Sequence, residues 1–383
     1  MFSTSVIEIK KSAIKHNLDY LRSHLKPGTQ FSSVVKGNAY GHGIENYVPL
    51  AYEAGVKHFS VFSSYEAYRV QQELEGLPHT IMIMGEIENE ALSWAIENDI
   101  EFFVFETERL EKASEAARKV GKKAKVHVEI ETGMNRTGFA MEEIKHLAGW
   151  LHNHEEFIHV KGICTHYAGA ESIANHVRVQ NQKMYFKDAI KLMAHCGIHP
   201  DQRHSCCSAA SIRMPEMHQD LVRIGILQYG FWPSKETLIE YQSKHKWGDD
   251  PLERIMSWKS RVMNVKKVKT GEFIGYGTTY LAQKDMTIAI VPVGYSHGFS
   301  RSLSNIGRAL VRGKRMPVVG IVNMNSMTLD VTDVPEVEKG DEVVMIGNQG
   351  ALSISVSSFG ELSELLNYEL LTRLPKDIPR EIV

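Results

Sequence analysis

Cysteine is scarce in this chain, and the few residues present form no recognisable ligand or disulfide pattern. The four cysteines are Cys164, Cys196, Cys206 and Cys207; none belongs to a CxxC pair, and three lie in or beside apolar runs. Reduced, buried thiols are therefore expected rather than disulfides or a zinc site. The 18 histidines show no HExxH or comparable spacing, so the sequence does not indicate a metal.

A strong charge of one sign and long apolar runs are also lacking. The formal net charge is −2, which does not favour binding to nucleic acid or to an anionic membrane. No apolar run approaches the roughly 18–20 residues that span a bilayer. The opening MFSTSVIEIKKSAIKHN lacks the pattern of a signal peptide. We therefore predict a cytoplasmic protein with neither a nucleic-acid nor a membrane partner.

Short apolar, β-branched runs alternate with amphipathic stretches between about residues 30 and 230. Stretches such as TERLEKASEAARKV have the apolar spacing of helices. Strands that alternate with helices form parallel βα units, and eight such units predict a (β/α)8 TIM barrel over residues 1–238. An open doubly wound sheet is the alternative, but no G-x-G-x-x-G follows the first strand. The predicted strands are 31–35, 58–62, 80–84, 101–105, 125–130, 159–165, 204–207 and 221–226.

The composition and the periodicity of the sequence change after residue 238. The Lys- and Glu-rich segment 235–254 has the composition of a surface connection. Short strand-like runs with turn signals follow it, and a late helical pattern occupies 357–374. We predict a mainly β C-terminal domain over 239–383. Together with the barrel, it places the chain as a whole in the α/β class. Residues 1–10 are expected to add a strand to one of the two domains. The strand-like runs are 255–268, 285–295, 308–324, 327–334 and 341–347.

Several reactive residues follow the predicted barrel strands. Lys36 follows the first strand, Arg136 the fifth, His166 the sixth and Ser208 the seventh, while Arg223 lies on the eighth. In a (β/α)8 barrel the carboxyl ends of the strands meet at one rim, where catalysis takes place. Each residue alone also fits a plain structural role, such as a surface charge, a hydrogen-bonded histidine or a helix cap. Those separate roles leave the shared rim unexplained.

The motifs around these residues resemble those of the alanine racemase family, almost from end to end of the chain. VVKGNAYGHG is similar to the signature of the family's cofactor-binding lysine. Further motifs follow in family order: ETGMNRTG, THYAGAE, SAASIRMPE, VRIGILQYG, GYGTTY, VPVGYSHGFSR and GIVNMNSM. The resemblance implies a pyridoxal-phosphate-dependent isomerase, a homodimer that interconverts L- and D-alanine and supplies D-alanine for cell-wall peptidoglycan.

The resemblance also implies a role for individual residues. Lys36 would form the Schiff base with pyridoxal 5'-phosphate, and Tyr276 from the other subunit would be the second catalytic base, hydrogen-bonded towards His166. Arg223 would face the pyridine nitrogen. The phosphate would lie near Tyr40, Ser208, Gly225 and Ile226, and the substrate would contact Arg136, the backbone at Met324 and the entry-corridor residue Tyr295.

Physical chemistry is consistent with these roles. Only an amine forms an imine with an aldehyde, and the lysine that the substrate displaces is then available as a base on one face. A single base would tend to return the proton to the face it came from, so a second base on the opposite face is useful for inverting the configuration. Arginine is effectively never deprotonated, so Arg223 would donate a hydrogen bond to the pyridine nitrogen without protonating it. That arrangement limits a long-lived carbanion and its side reactions.

Three positions depart from the family pattern. Glu129 stands where many members have a lysine, often carbamylated, and we hypothesise that its carboxylate orients Arg136 directly. Asn325 replaces the usual aspartate after Met324, and Lys376 stands near the position of a second gate tyrosine in some members. These departures leave racemase chemistry intact but open the question of strict alanine specificity.

Three alternative functions remain at the level of sequence. A racemase of the same fold could act on serine or on a broader set of amino acids. A basic amino-acid decarboxylase of similar architecture would have an acidic residue facing the pyridine nitrogen and a cysteine in the β domain, which Arg223 and the absence of cysteine after Cys207 disfavour. A cofactor-carrying binding protein would lack the second domain with its GYGTTY element.

Overall fold

The computed structural model describes residues 3–356 and 367–383, and the chain divides into two compact units. The first, the barrel unit, comprises Ser12–Ala39 and Tyr47–Glu253. The second, the β-rich unit, comprises Met1–Lys11, Tyr40–Asn46 and Arg254–Val383. Within the described residues, no helix combines the length and the apolar character needed to cross a membrane.

The strands and helices of the described residues are numbered along the chain. The strands are β1 (Ser5–Ile9), β2 (Gln30–Val34), β3 (His58–Val61), β4 (Thr80–Ile83), β5 (Glu101–Val104), β6 (Ala124–Glu129), β7 (Ile158–Cys164), β8 (Gln202–His204), β9 (Leu221–Ile224), β10 (Met256–Arg261), β11 (Asn264–Val268), β12 (Met286–Val291), β13 (Arg308–Val311), β14 (Lys314–Pro317), β15 (Met327–Asp330), β16 (Glu342–Gln349), β17 (Leu352–Ile354) and β18 (Arg380–Ile382). The α-helices are α1 (Lys11–Ser23), α2 (Ile44–Glu53), α3 (Ser64–Glu73), α4 (Leu92–Glu97), α5 (Thr107–Val120), α6 (Ile144–Asn153), α7 (His176–His195), α8 (Ser208–Arg213), α9 (Lys235–Lys244) and α10 (Asn367–Arg373).

Eight parallel strands form the barrel of the barrel unit. Their spatial order is β8-β7-β6-β5-β4-β3-β2-β9, so each strand from β2 to β8 lies beside its neighbour in sequence. Backbone hydrogen bonds from Asp220 N to Arg203 O (3.1 Å) and from Arg223 N to Cys206 O (3.0 Å) close the ring between the end strands. The predicted (β/α)8 fold, with all eight predicted strands, is confirmed.

Helix α5 shows how the local sequence builds the outer layer of the barrel. Its buried side chains include Leu110, Ala113 and Ala117, at the i, i+3, i+7 spacing of one helix face. The helix ends at Gly121, which has φ of 74° and donates its N–H to Ala117 O at 2.8 Å. Glycine adopts this left-handed conformation without steric penalty, which makes it a suitable terminator.

Two sheets, the smaller antiparallel and the larger mostly so, make up most of the β-rich unit. The larger has the order β14-β13-β16-β10-β1-β18, with β17 beside β16, and the smaller has the order β11-β12-β15. Strand β1 pairs antiparallel with β10 and parallel with β18. Trp258 and Phe299 are fully buried in this unit, with ring centroids 6.3 Å apart. The mainly β C-terminal region predicted from the sequence is therefore confirmed.

Two local differences separate the prediction from the structure, and one predicted helix lies partly outside the described residues. The segment 235–254, interpreted as a surface connection, contains helix α9, which buries Thr237 and Tyr241. The predicted strand at 204–207 ends at His204, because Cys207 already precedes helix α8 as its cap. Of the late helix predicted at 357–374, the structure describes Asn367–Arg373, and residues 357–366 lie outside the described part of the chain.

Candidate active site

The predicted site residues of the barrel unit lie on its strands or follow their carboxyl ends. Lys36 follows β2, Arg136 lies in the loop after β6, His166 follows β7 and Ser208 begins α8 after β8. Arg223 is on β9. Because the strands are parallel and the ring closes, these ends share one rim of the barrel. The barrel therefore brings together residues from widely separated parts of the chain.

The electrostatic surroundings of Lys36 favour its neutral amine. The side chain reaches solvent, but the protein around it removes enough water to lower the pKa of its amine below the usual lysine value. The positive charges of Arg136 and Arg223 lower this pKa further, and the carboxylate of Glu66 opposes them. A neutral amine is the form that attacks carbonyl carbons and accepts protons.

His166 experiences the same positive surroundings. Burial, with the charges of Arg223, Arg136 and Lys36, lowers the pKa of its imidazole to about 3. The ring is therefore neutral throughout the physiological range and can offer one donor and one acceptor nitrogen. The charges of Arg136, Arg223 and Lys36 therefore all act on the imidazole of His166.

Arg223 is a buried guanidinium held by neutral acceptors. It donates to Thr165 O at 2.8 Å, to His204 O at 3.2 Å and to Nδ1 of His204. In the described part of the chain, no carboxylate forms an ion pair with it. A buried charge without an ionic partner costs free energy, so its retention points to a ligand that accepts a hydrogen bond from it.

Ser208 and Gly225 lie next to each other at the rim. The N–H of Gly225 donates to Oγ of Ser208 at 2.9 Å, which connects the start of α8 to the end of β9. Ile226 follows and is 1% exposed. The hydroxyl and the neighbouring backbone therefore form one polar corner of the barrel rim.

Two glutamates that precede Arg136 in the chain, Glu129 and Glu131, hold the loop that carries it. Oε2 of Glu131 accepts the backbone N–H of Arg136 at 3.3 Å, and the same carboxylate accepts the N–H of Gly133. Glu129 is buried and accepts a hydrogen bond from the Thr137 hydroxyl at 2.7 Å. Burial raises the pKa of Glu129, although the Thr137 hydrogen bond and the charge of Arg136 act in the opposite direction.

The remaining predicted site residues belong to the β-rich unit. Tyr276 is 73% exposed in the loop between β11 and β12. Tyr295 donates its N–H to Asn323 O at 3.0 Å, and Met324 O accepts from both the backbone and the hydroxyl of Ser296. The structure thus brings Tyr295 and Met324 together. Tyr40 is buried and has φ of 51°.

Sequence reasoning missed three polar residues inside the barrel. His204, His127 and Glu101 form a buried chain of hydrogen bonds that begins at Arg223, with 2.8 Å between the two histidine rings and 2.8 Å between His127 and Glu101. The sequence could have revealed them, because each is a polar residue within an apolar strand motif: EFFVF, KVHVEI or HSCC.

Comparison with known proteins agrees with the resemblance found in the sequence. The family model "Alanine racemase, N-terminal domain" matches residues 9–233, and "Alanine racemase, C-terminal domain" matches residues 255–382. An alanine racemase of Leptospira interrogans is 37% identical over 386 residues, covering 99% of this chain and 96% of that protein.

Solved structures give the same result. The alanine racemase of a D-cycloserine-producing Streptomyces lavendulae has a TM-score of 0.92 at 28% identity, covering 100% of this chain and 98% of that one. An alanine racemase from Bartonella henselae, solved with covalently bound pyridoxal phosphate, has a TM-score of 0.86 at 25% identity and covers 100% of both chains. With both domain families matched and a full-length relative above 30% identity, this chain belongs to the alanine racemase family.

Proposed function

We propose that this protein interconverts L- and D-alanine with pyridoxal 5'-phosphate bound at Lys36. The observation that carries the proposal is the group of Lys36, Arg136, His166 and Arg223 at one rim of the barrel, with the pKa values of Lys36 and His166 both lowered. A neutral amine beside two fixed positive charges suits a site for an anionic aldehyde cofactor and a substrate carboxylate. The D-alanine formed would serve cell-wall synthesis.

The residues of the barrel rim fit pyridoxal phosphate. Arg223 offers a buried donor for a ring nitrogen, and the corner formed by Ser208, Gly225 and Ile226 offers hydroxyl and backbone groups for a phosphate. When bound, the cofactor supplies the electron-withdrawing system that makes the substrate α-proton acidic. Arg223 limits that withdrawal because it keeps its own protons.

Two bases of this chain would move the proton. Lys36, with its lowered amine pKa, would accept or return the proton on one face of the substrate. Tyr276 would act on the other face, supplied by the second subunit of a homodimer. The exposure of Tyr276 and of several apolar side chains of the β-rich unit supports such a partner; these side chains are Phe273, Leu281, Tyr295, Ile306 and Met324.

Arg136 would bind the substrate carboxylate together with the backbone at Met324, and Tyr295 would line the entrance. We propose that the carboxylate of Glu129 orients the Arg136 loop without a carbamylated lysine. The hydrogen bond from Thr137, the residue next to Arg136, to Glu129 supports this role. The charge of Arg136 also stabilises the ionised form of Glu129.

A serine or broad-specificity racemase of the same fold is the second candidate. The observation that favours it is Asn325, whose amide donates to Ser296 Oγ at 3.0 Å directly beside Tyr295. An amide at this position adds hydrogen-bonding groups without a charge, which would tolerate a hydroxyl-bearing side chain. A panel of amino acids distinguishes the two candidates.

The test combines an absorbance spectrum with a circular-dichroism assay. Purified protein loaded with pyridoxal phosphate is expected to absorb near the visible edge and to racemise L-alanine faster than L-serine. Lys36→Ala is expected to lose both the absorbance and the activity. Persistence of the absorbance in Lys36→Ala would remove the central assignment, and faster turnover of L-serine would favour the second candidate.

A further inference from the structure

The backbone directly after Lys36 is a left-handed turn. Gly37, Asn38 and Ala39 have φ values of 62°, 57° and 52°, and Tyr40 continues at 51°. A left-handed conformation costs an L-residue about 1–2 kcal/mol, and such residues normally occur singly. Three consecutive non-glycine residues in this conformation need surroundings that hold them there.

Glu66 supplies part of that support from a different segment of the barrel unit. Its Oε1 accepts the backbone N–H of Gly37 at 2.7 Å and that of Asn38 at 3.3 Å. Its Oε2 accepts the N–H of Phe62 at 2.9 Å. One carboxylate therefore joins the turn behind Lys36 to the end of the neighbouring barrel strand, β3.

The position of Glu66 is itself well defined. It lies in the first turn of α3, where the side chain of Ser63 accepts the N–H of Glu66 at 3.4 Å. One helical turn later, Arg69 donates to Oδ1 of Asn38 at 2.6 Å. Helix α3 thus contacts both the backbone of the turn and the side chain of Asn38 within it.

We propose that Glu66 is a positioning residue for Lys36, a role that rests on the proposed function of Lys36. Its carboxylate holds the two N–H groups that follow Lys36, and so fixes the direction in which the lysine side chain leaves the barrel rim. Hydrogen bonds to a charged acceptor are roughly twice as strong as neutral ones. The two hydrogen bonds that reach the turn offset part of the cost of its left-handed backbone.

Glu66 also acts on Lys36 through its charge. It raises the pKa of the Lys36 amine, against the lowering by burial, Arg136 and Arg223. Removal of the charge alone should therefore lower this pKa further. Removal of the whole side chain should, in addition, release the turn.

The experiment compares Glu66→Gln with Glu66→Ala, and uses Glu75→Gln as the matched control at an exposed glutamate beyond the same helix. Two readouts use cofactor-free protein: the pH midpoint of Lys36 acetylation, followed by mass spectrometry, and amide hydrogen exchange at residues 37–38. A third readout is the racemisation kinetics of the loaded enzyme.

Both Glu66 variants are expected to lower the midpoint of Lys36 acetylation, and Glu66→Ala is expected to lose amide protection at residues 37–38. Because small displacements of a catalytic group are costly, kcat in Glu66→Ala should fall about 10–100-fold with little change in KM. Glu66→Gln, which keeps an acceptor oxygen, should recover part of that loss. Glu75→Gln should match the wild type in all three readouts.

An unmoved midpoint together with unchanged exchange in both Glu66 variants would overturn the proposal. The proposal would also be overturned if Glu66→Gln and Glu66→Ala lost kcat equally and only in proportion to their loss of thermal stability. If the wild type proves inactive with every amino acid, the proposed function fails, whereas the acetylation and exchange results still decide whether Glu66 positions Lys36. If Glu66→Ala does not fold, Glu66→Gln carries the test through its midpoint and kcat.

Discussion

His204 and His127 contact each other through their ring nitrogens, Nε2 to Nδ1, at 2.8 Å inside the barrel. Arg223 can only donate, so Nδ1 of His204 must accept from it, and Nε2 of His204 must carry the proton. Nδ1 of His127 then accepts, and its Nε2 donates to Glu101. The direction of every hydrogen bond from Arg223 to Glu101 is therefore fixed.

The first prediction concerns the space around this chain of hydrogen bonds. A Cβ added at Gly162 would lie 2.1 Å from Nδ1 of His127, whose ring is fully buried. Gly162→Ala should displace the ring and lower the free energy of unfolding by about 1–3 kcal/mol. Urea denaturation measures this change. Gly149→Ala is the control, because its Cβ would meet no atom within 4 Å; equal stability of the two variants would contradict the prediction.

The second prediction concerns stability in acid. The pKa of His166 is lowered to about 3 by burial and by the charges of Arg223, Arg136 and Lys36. Between that value and the ordinary value near 6.5, the unfolded state binds a proton that the folded state does not, so stability falls as pH falls. His166→Asn should reduce this slope by at most about 1.4 kcal/mol per pH unit.

Urea denaturation of the cofactor-free protein at several pH values between 6.5 and 4.5 measures the slope. The slopes for wild type and His166→Asn should differ little at pH 8, where the histidine is neutral in both the folded and the unfolded state. If the free energy of unfolding changed with pH equally in the two proteins over the acid range, the fold would not hold His166 neutral.

The third prediction concerns the second base. Tyr276→Phe keeps the ring and removes the phenol, so racemisation should slow by roughly 10²–10⁴-fold, the usual contribution of a positioned acid or base. The effect should be larger in the direction in which Tyr276 removes the proton. Tyr280→Phe, in the same loop segment, is the control and should retain activity. Wild-type rates in both directions for Tyr276→Phe would exclude the two-base scheme.

The fourth prediction concerns Glu129. Glu129→Gln removes the carboxylate next to the Arg136 loop, so KM for alanine should rise about tenfold, which corresponds to ~1.4 kcal/mol of lost interaction. The absorbance of the loaded protein should not change. Glu142→Gln, an exposed position after the same loop, serves as the control. An unchanged KM, or a carbamylated lysine found beside Arg136 by peptide mapping, would refute the role.

The barrel could be predicted because its strands are short apolar runs separated by amphipathic helices, a local pattern. The site residues could be named because the strand ends converge and because the surrounding motifs resemble a known family. Helix α9 was missed because Lys and Glu dominate its composition, and only Thr237 and Tyr241 mark its buried face.

The left-handed turn after Lys36 could not be predicted from the local sequence, for a different reason. Gly37 alone signals a positive φ, whereas Asn38 and Ala39 also adopt one, and Asn38 does so in contact with a helix some 30 residues further along the chain. The same holds for the buried chain of hydrogen bonds from Arg223 to Glu101, whose four members come from four different strands. Long-range contacts of this kind leave only a weak trace in the sequence.

Strand β1 lies between β10 and β18 in the larger sheet of the β-rich unit. During synthesis, the residues at 5–9 emerge long before their partners at 256–261 and 380–382. The barrel strands between them can pair first, while the N-terminal strand keeps its main-chain donors and acceptors unsatisfied by any native neighbour. On the ribosome, this strand therefore stays unpaired until residues 256–261 have been synthesised, and until then it is open to capture by a chaperone or by a neighbouring nascent chain.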